Sequence, residues 1–205
     1  MTSEILEATI AASAYTKHTP PGLRVCWSGA VDNVQFDIMQ RGDFVFVAFA
    51  GTNEWADMWR HVWVRRENFC GVKIHRGWLA DSQKCFPVMY AVLGELMQSL
   101  ATRVVFLGHS YGGALAQITA FCLASEYGAP RVMLRTYGSP RAGCCKFAKA
   151  LDRRVDSHYR YVITGDPVTQ TPLAFRYRHG GAKMTMPFRK SPHAMASYLK
   201  SISGE

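Results

Sequence analysis

Ser110 lies at the centre of Gly108-His109-Ser110-Tyr111-Gly112, after the apolar run Arg103–Leu107 and before an alanine-rich stretch. A serine hydroxyl is a poor nucleophile until a base takes its proton, and it must also stand clear of the backbone. A sharp strand-to-helix turn meets the second need, and flanking glycines relieve the crowding it creates. The pattern therefore points to nucleophilic attack on an acyl group. Gly113 and Ala114 let the next helix approach the sheet closely. The start of that helix turns backbone N–H groups and a positive dipole end toward a developing oxyanion. The Tyr111 N–H is the natural first donor. A tight turn with an idle serine is the bland alternative, and the strand before and helix after weigh against it.

Such a serine needs a base and an acid, which on this kind of turn follow in the order serine, acid, histidine. The acids after Ser110 are Glu126, Asp152, Asp156, Asp166 and Glu205. Glu126 falls on the nucleophile's own helix, and Asp152 and Asp156 flank a basic run. Asp166 directly follows the run Tyr159–Ile163, at the carboxyl end of a strand, where sites form in α/β sheets. Gly165 and Pro167 fix a turn around it, and a turn-forming aspartate is the competing reading. Two histidines follow, His179 and His193. His179 precedes Gly180-Gly181 at an expected hairpin tip, a poor place for a base. His193 follows Pro192, where a loop enters the last helix. Placement alone favours His193 only weakly.

Several elements must hold these groups. A helix is expected over residues 3–16, capped by Thr2 or Ser3. Val34–Met39 and Phe44–Ala50 read as strands joined at Gly42-Asp43. A short helix is expected over Glu54–Val64, and a long one over Gly77–Leu100 with a break at Pro87. Arg103–Leu107 is apolar throughout, the type of strand found in a sheet covered on both faces. Further helices are expected over Gly112–Tyr127, around Phe147–Leu151 and over Pro192–Ile202. Val132–Tyr137 and Tyr159–Ile163 read as strands, and Phe175–Met186 as a hairpin around Gly180-Gly181. Strands alternating with helices imply an α/β fold with a mixed, mainly parallel sheet and helices on both faces. No internal repeat or linker divides the chain, so residues 1–205 read as one domain.

Composition narrows the classes. The chain has 205 residues, 48% of them hydrophobic and 19% charged, as a packed globular domain requires. No apolar run reaches the roughly 18 residues of a membrane span. The N-terminus carries Glu4 and Glu7 and no basic leader, so the expectation is no signal peptide and a cytoplasmic location. The six cysteines form no CxxC or zinc spacing and read as reduced, mostly core residues, a disulfide framework being the alternative. No metal or cofactor is expected. The net charge of +9 is concentrated, with thirteen Lys or Arg against three acids over residues 131–190. Such a basic face could attract anionic lipid or nucleic acid, or be solvated surface; solvated surface is favoured over a nucleic-acid partner, since no nucleic-acid motif accompanies the charge.

Several ordered motifs between Phe36 and Tyr198 resemble the class 3 lipases, the fungal-lipase-like branch of the α/β-hydrolases. Gly108 to Ala116 looks like that family's nucleophile elbow. Phe49-Ala50-Gly51-Thr52 resembles its Phe-Arg-Gly-Thr strand end, where the threonine donates to the oxyanion. Ile74-His75-Arg76-Gly77-Trp78 resembles Val-His-x-Gly-Phe, and Tyr137 to Gly143 resembles Phe-Gly-x-Pro-Arg-Val-Gly. Thr164 to Val168 looks like the turn bearing the catalytic acid. Tyr177-Arg178-His179-Gly180 is similar to a structural Tyr-x-His-x-Gly element, which accounts for His179 without catalysis. Pro192-His193 followed by Tyr198 is similar to the catalytic-histidine site. Ala50, Gly165 and Pro192 stand where the family has arginine, asparagine and aspartate. The segment from Asp166 to His193 is shorter than in most relatives.

The resemblance implies an α/β-hydrolase fold and a serine esterase or lipase, hydrolysing carboxylic esters of acylglycerols or related lipids. Ser110, His193 and Asp166 would form the triad, acting through an acyl-enzyme, with Thr52 and Tyr111 as oxyanion donors. The alternatives are phospholipase A1, thioesterase or acyltransferase chemistry on the same triad, or a non-catalytic interaction protein on this fold. Trp55, Trp59 and Trp63 recur every four residues and make one aromatic stripe on a helix. In the family that region carries a lid, so the stripe reads either as a lid contacting a lipid interface or as an ordinary core-facing helix.

Overall fold

A computed structural model describes residues 2–51, 65–98, 101–127, 131–173 and 175–205. The expected helix over Glu54–Val64, with Trp55, Trp59, Trp63 and Thr52, lies outside these residues. In chain order the elements are α1 (Ser3–Thr16), β1 (Arg24–Val31), β2 (Val34–Arg41), β3 (Phe44–Phe49), β4 (Arg66–Phe69) and β5 (Val72–His75). Then come α2 (Arg76–Leu96), β6 (Arg103–His109), α3 (Tyr111–Tyr127), β7 (Val132–Tyr137), β8 (Gly143–Cys144) and α4 (Cys145–Arg154). The chain closes with β9 (Ser157–Ile163), a 3-10 turn (Val168–Gln170), β10 (Tyr177–Arg178), β11 (Ala182–Met186) and α5 (Met195–Ser203).

The main sheet has the order β1-β2-β3-β6-β7-β9-β11. The first three strands are antiparallel neighbours, and every pair from β3 onward is parallel. Period-two alternation sorts the side chains into two layers. Val45, Val47, Phe49, Val104 and Phe106 pack with Leu79, Met89 and Leu93 of α2 and with α3 and α4. Phe46, Ala48, Val105 and Leu107 point the other way, toward Ala8, Ile10, Ala11 and Ala14 of α1 and Tyr198 of α5. Helices therefore cover both faces, which is why β6 can be apolar along its length. A buried ion pair fastens α1 to β7, with Arg135 Nε 3.1 Å from Glu7 Oε2. The Gln35 amide adds a bond to the Ala14 carbonyl at 2.8 Å.

The observed elements depart from the sequence reading in three places. Phe175–Met186 is not a hairpin. β10 joins β8 in a small four-stranded sheet, and β11 adds a parallel edge to β9. Tyr177 is fully buried beside β8, so the two arms belong to different sheets, and Gly180-Gly181 carries the chain between them. Helix α2 runs through Pro87 without a break. The ring faces solvent there, while Cys85 and Met89 on the same stretch are buried and hold the helix to the core. The strands β1, β4 and β5 complete the two sheets where the sequence offered no run of buried apolar residues. Among the described residues, no helix is long and apolar enough to cross a membrane.

Candidate active site

The carboxyl ends of β6, β7 and β9 lie side by side, and Ser110, Gly138 and Asp166 follow them. Ser110 and Asp166 are therefore two strands apart, roughly 10 Å at ordinary sheet spacing. One imidazole with a hydrogen bond at each end spans that gap. His193, from the loop entering α5, occupies it: Nε2 is 2.8 Å from Ser110 Oγ, and Nδ1 is 3.0 Å from both Asp166 oxygens. The serine and the aspartate are buried. The geometry selects His193 and sets His179 elsewhere.

Ser110 adopts φ 56°, the left-handed region that costs an L-residue about 1–2 kcal/mol. The cost is imposed by crowding around the elbow. A Cβ at Gly108 would lie 2.2 Å from the Gly112 carbonyl oxygen, and one at Gly112 would lie 2.4 Å from that of Phe49. The Ser110 amide donates to the Tyr137 carbonyl at 2.9 Å, which ties the elbow to β7. Tyr111, the expected oxyanion donor through its amide, sends its hydroxyl to Asp81 Oδ2 on α2 at 2.7 Å. Thr52, the other expected donor, lies outside the described residues.

The Asp166 carboxylate is held from several sides. Its Oδ2 accepts from the Tyr198 hydroxyl at 2.6 Å, and its Oδ1 from the Val168 amide at 3.0 Å. Tyr198 in turn accepts from the Ile163 amide at 3.2 Å. Gly138, at φ +56°, makes room, because a Cβ there would lie 2.7 Å from Asp166 Oδ2. Gly165 has φ +88°, a conformation that glycine adopts freely and asparagine tolerates, so its departure from the family pattern keeps the turn. His179 braces the 3-10 turn that follows, with Nε2 2.6 Å from the Thr169 carbonyl oxygen. Burial pushes the His179 pKa down to about 3, so the ring is neutral and its Nε2–H donates. This structural role agrees with the sequence reading.

A second hydrogen-bonded line was missed in the sequence. His109, inside the elbow motif, is buried, and burial and the neighbouring His193 push its pKa down to about 3. Its Nε2 lies 2.7 Å from the His193 carbonyl oxygen, which can only accept, so Nε2 carries the proton. Nδ1 is then an acceptor and takes the Tyr15 hydroxyl at 2.6 Å. The Gly51 amide bonds that same hydroxyl oxygen. Tyr15 on α1 thus joins the strand end after β3 to the loop that carries His193. The one sequence signal was a polar histidine at the end of an apolar buried strand.

Among the described residues, no cluster of three or more His, Cys, Asp or Glu is placed to hold a metal ion. Cys85 is buried, while Cys70 and Cys145 are exposed.

The chain is 33% identical over 127 residues to secreted mono- and diacylglycerol lipase 1 of Fusarium solani, covering 57% of this chain and 38% of that protein. It is 32% identical over 109 residues to the toxin TseL of Vibrio cholerae, covering 53% of this chain and 16% of the toxin. It is 30% identical over 124 residues to phospholipase A1 EG1 of Oryza sativa, covering 49% and 28%. The chain thus spans well under half the length of these relatives. Lipase II of Rhizopus niveus superposes with a TM-score of 0.80 at 22% identity, covering 90% of this chain and 81% of that one. At that identity the superposition establishes the α/β-hydrolase fold. The family model described as lipase (class 3) matches residues 46–176, the span that carries both the elbow and the acid turn, and the chain belongs to the class 3 lipase family.

Proposed function

We propose that this chain is a serine esterase acting on carboxylic esters of acylglycerols or related lipids, with residues 1–205 working as one catalytic domain. The observation that carries the reading is the unbroken line from Ser110 Oγ through His193 to a buried, doubly anchored Asp166. His193 Nε2 takes the serine proton as Oγ attacks the ester carbonyl. Asp166 accepts from Nδ1–H, fixes the tautomer and stabilises the imidazolium that forms. The Tyr111 amide at the start of α3, with Thr52, receives the oxyanion. His193 then returns the proton to the leaving alcohol. Water, deprotonated by His193, cleaves the acyl-enzyme, releasing the acid and free Ser110.

The substrate class follows from the family and from relatives named as mono- and diacylglycerol lipases. Phospholipase A1 activity is the second reading, supported by the relative of that name. The same triad serves a thioesterase or an acyltransferase, which acyl acceptors added to the assay distinguish. An interaction protein without catalysis is disfavoured because all three triad groups are in bonding register. The four-residue spacing of Trp55, Trp59 and Trp63 in the sequence fits either a lid meeting a lipid interface or a core-facing helix. As to compartment, the relative named as secreted weighs against the cytoplasmic expectation. Turnover of a p-nitrophenyl ester tests the central role. Ser110→Ala should lower kcat by roughly 10⁴-fold or more, and equal turnover by the variant and the wild type would refute the assignment.

A further inference from the structure

A groove of about 730 Å³ lies on the small sheet, outside the triad. Arg66 of β4, Lys73 of β5, Lys146 at the start of α4, and Arg176 and Arg178 at β10 line it, and no carboxylate does. Glu67, the acid next to Arg66, pairs with Arg76 instead. Among the described residues, none of the five cations has a carboxylate within ion-pair distance. Three are held by uncharged partners, Arg176 lying 5.4 Å over the Phe175 ring. Arg66 lies 5.8 Å over the Tyr177 ring, and Arg178 donates to the Tyr177 carbonyl at 2.8 Å. Five like charges converging on one concavity create a field that attracts anions.

Phe175, which lines the groove, and Leu173, two positions before it in the chain, are exposed apolar residues on the segment that follows the acid turn. Leu173 is 80% exposed and Phe175 is 75% exposed. Arg141 ties this loop down, through its amide to the Thr171 carbonyl and its guanidinium to the Pro172 carbonyl, each near 2.9 Å. Cations beside exposed aliphatic and aromatic side chains match the boundary between lipid headgroups and acyl chains. Burying Leu173 gains free energy only in an apolar medium, which favours a lipid surface over nucleic acid.

We infer that this groove docks the protein on an anionic phospholipid surface, the five cations meeting headgroup phosphates while Leu173 and Phe175 enter the interface. The inference rests on the lipid-esterase reading above, to which it adds how the substrate surface is selected. Each basic residue near such a surface contributes roughly fivefold to binding, and salt weakens the attraction.

The test is sedimentation of Ser110→Ala protein, which leaves the vesicles intact, with phosphatidylcholine vesicles and with vesicles that also contain phosphatidylglycerol. Binding should require the anionic lipid and fall as salt rises. Adding Lys73→Gln with Lys146→Gln should weaken it roughly 30-fold, and Lys146→Glu with Arg176→Glu further. In the wild-type background these pairs should leave soluble-ester turnover unchanged, which also reports that they fold. Equal binding to neutral vesicles, undiminished binding by both folded pairs, or preference for a DNA oligonucleotide over anionic vesicles would overturn the inference. Vesicle binding without ester turnover by the wild type would sink the esterase reading alone. Turnover without vesicle binding would sink this one alone.

Discussion

At the residue scale, the proposed nucleophile is set apart by a conformation as much as by a side chain. Ser110 sits in the left-handed region because its amide, its carbonyl and the glycines around it are all committed. Glycine accepts that conformation without the Cβ penalty, whereas alanine does not. Ser110→Gly should therefore be more stable than Ser110→Ala by about 1 kcal/mol, although both lack the hydroxyl. Urea titration of the two variants checks this, and equal midpoints would mean the elbow is not strained. The three side chains that the structure brings into contact could be picked out in the sequence because their signals are local: glycine spacing, a turn at the end of a strand, a fixed chain order. The resemblance then separated His193 from His179. Tyr15 and His109 could not be paired that way, since they stand 94 positions apart and only the fold brings them together.

At the element scale, α1 does more than cover the sheet. Glu7 fastens it to β7, and Tyr15 near its end reaches both the Gly51 amide and His109. Tyr15→Phe would leave His109 Nδ1 and the Gly51 amide without this partner, at a cost of about 1–3 kcal/mol in stability. The expected result is a lower urea midpoint together with a lower kcat on a soluble ester, because the His193 loop loses the brace beneath it. A stability loss with kcat unchanged would reduce Tyr15 to a packing residue. Apolar periodicity located the elements with buried faces, among them β2, β3, β6, β7 and α3. It failed where burial is one-sided or the partner is distant. β1 alternates exposed and half-buried residues and lacks an apolar signature. The glycine pair at 180 and 181 imitates a hairpin turn, but its two arms are claimed by β8 and β9.

At the scale of the whole molecule, neutral buried histidines set the response to acid. Burial holds His109 at about 3 and His75, which caps α2 and stacks on Trp78, at about 4, against an ordinary 6.5. Below 6.5 the unfolded chain takes up these protons while the folded chain does not. Stability therefore rises with pH across the window from about 4 to 6.5, and is lost as pH falls through it, by about 1.4 kcal/mol per pH unit for each histidine. Urea midpoints should drop clearly between about pH 7 and pH 5, and identical midpoints would mean these rings are protonated in the folded state. Charge totals alone did not point to the basic groove. The excess was visible along residues 131–190, but Arg66 and Lys73 join Lys146, Arg176 and Arg178 only when the small sheet assembles.

Covalent labelling reads out whether Ser110 is a nucleophile activated by His193 and Asp166. A fluorophosphonate probe should add once to the native protein. Peptide mapping should place the adduct on Ser110, and Asp166→Asn should slow the labelling by orders of magnitude. No adduct on the folded protein, or an adduct that survives Ser110→Ala, would contradict the account.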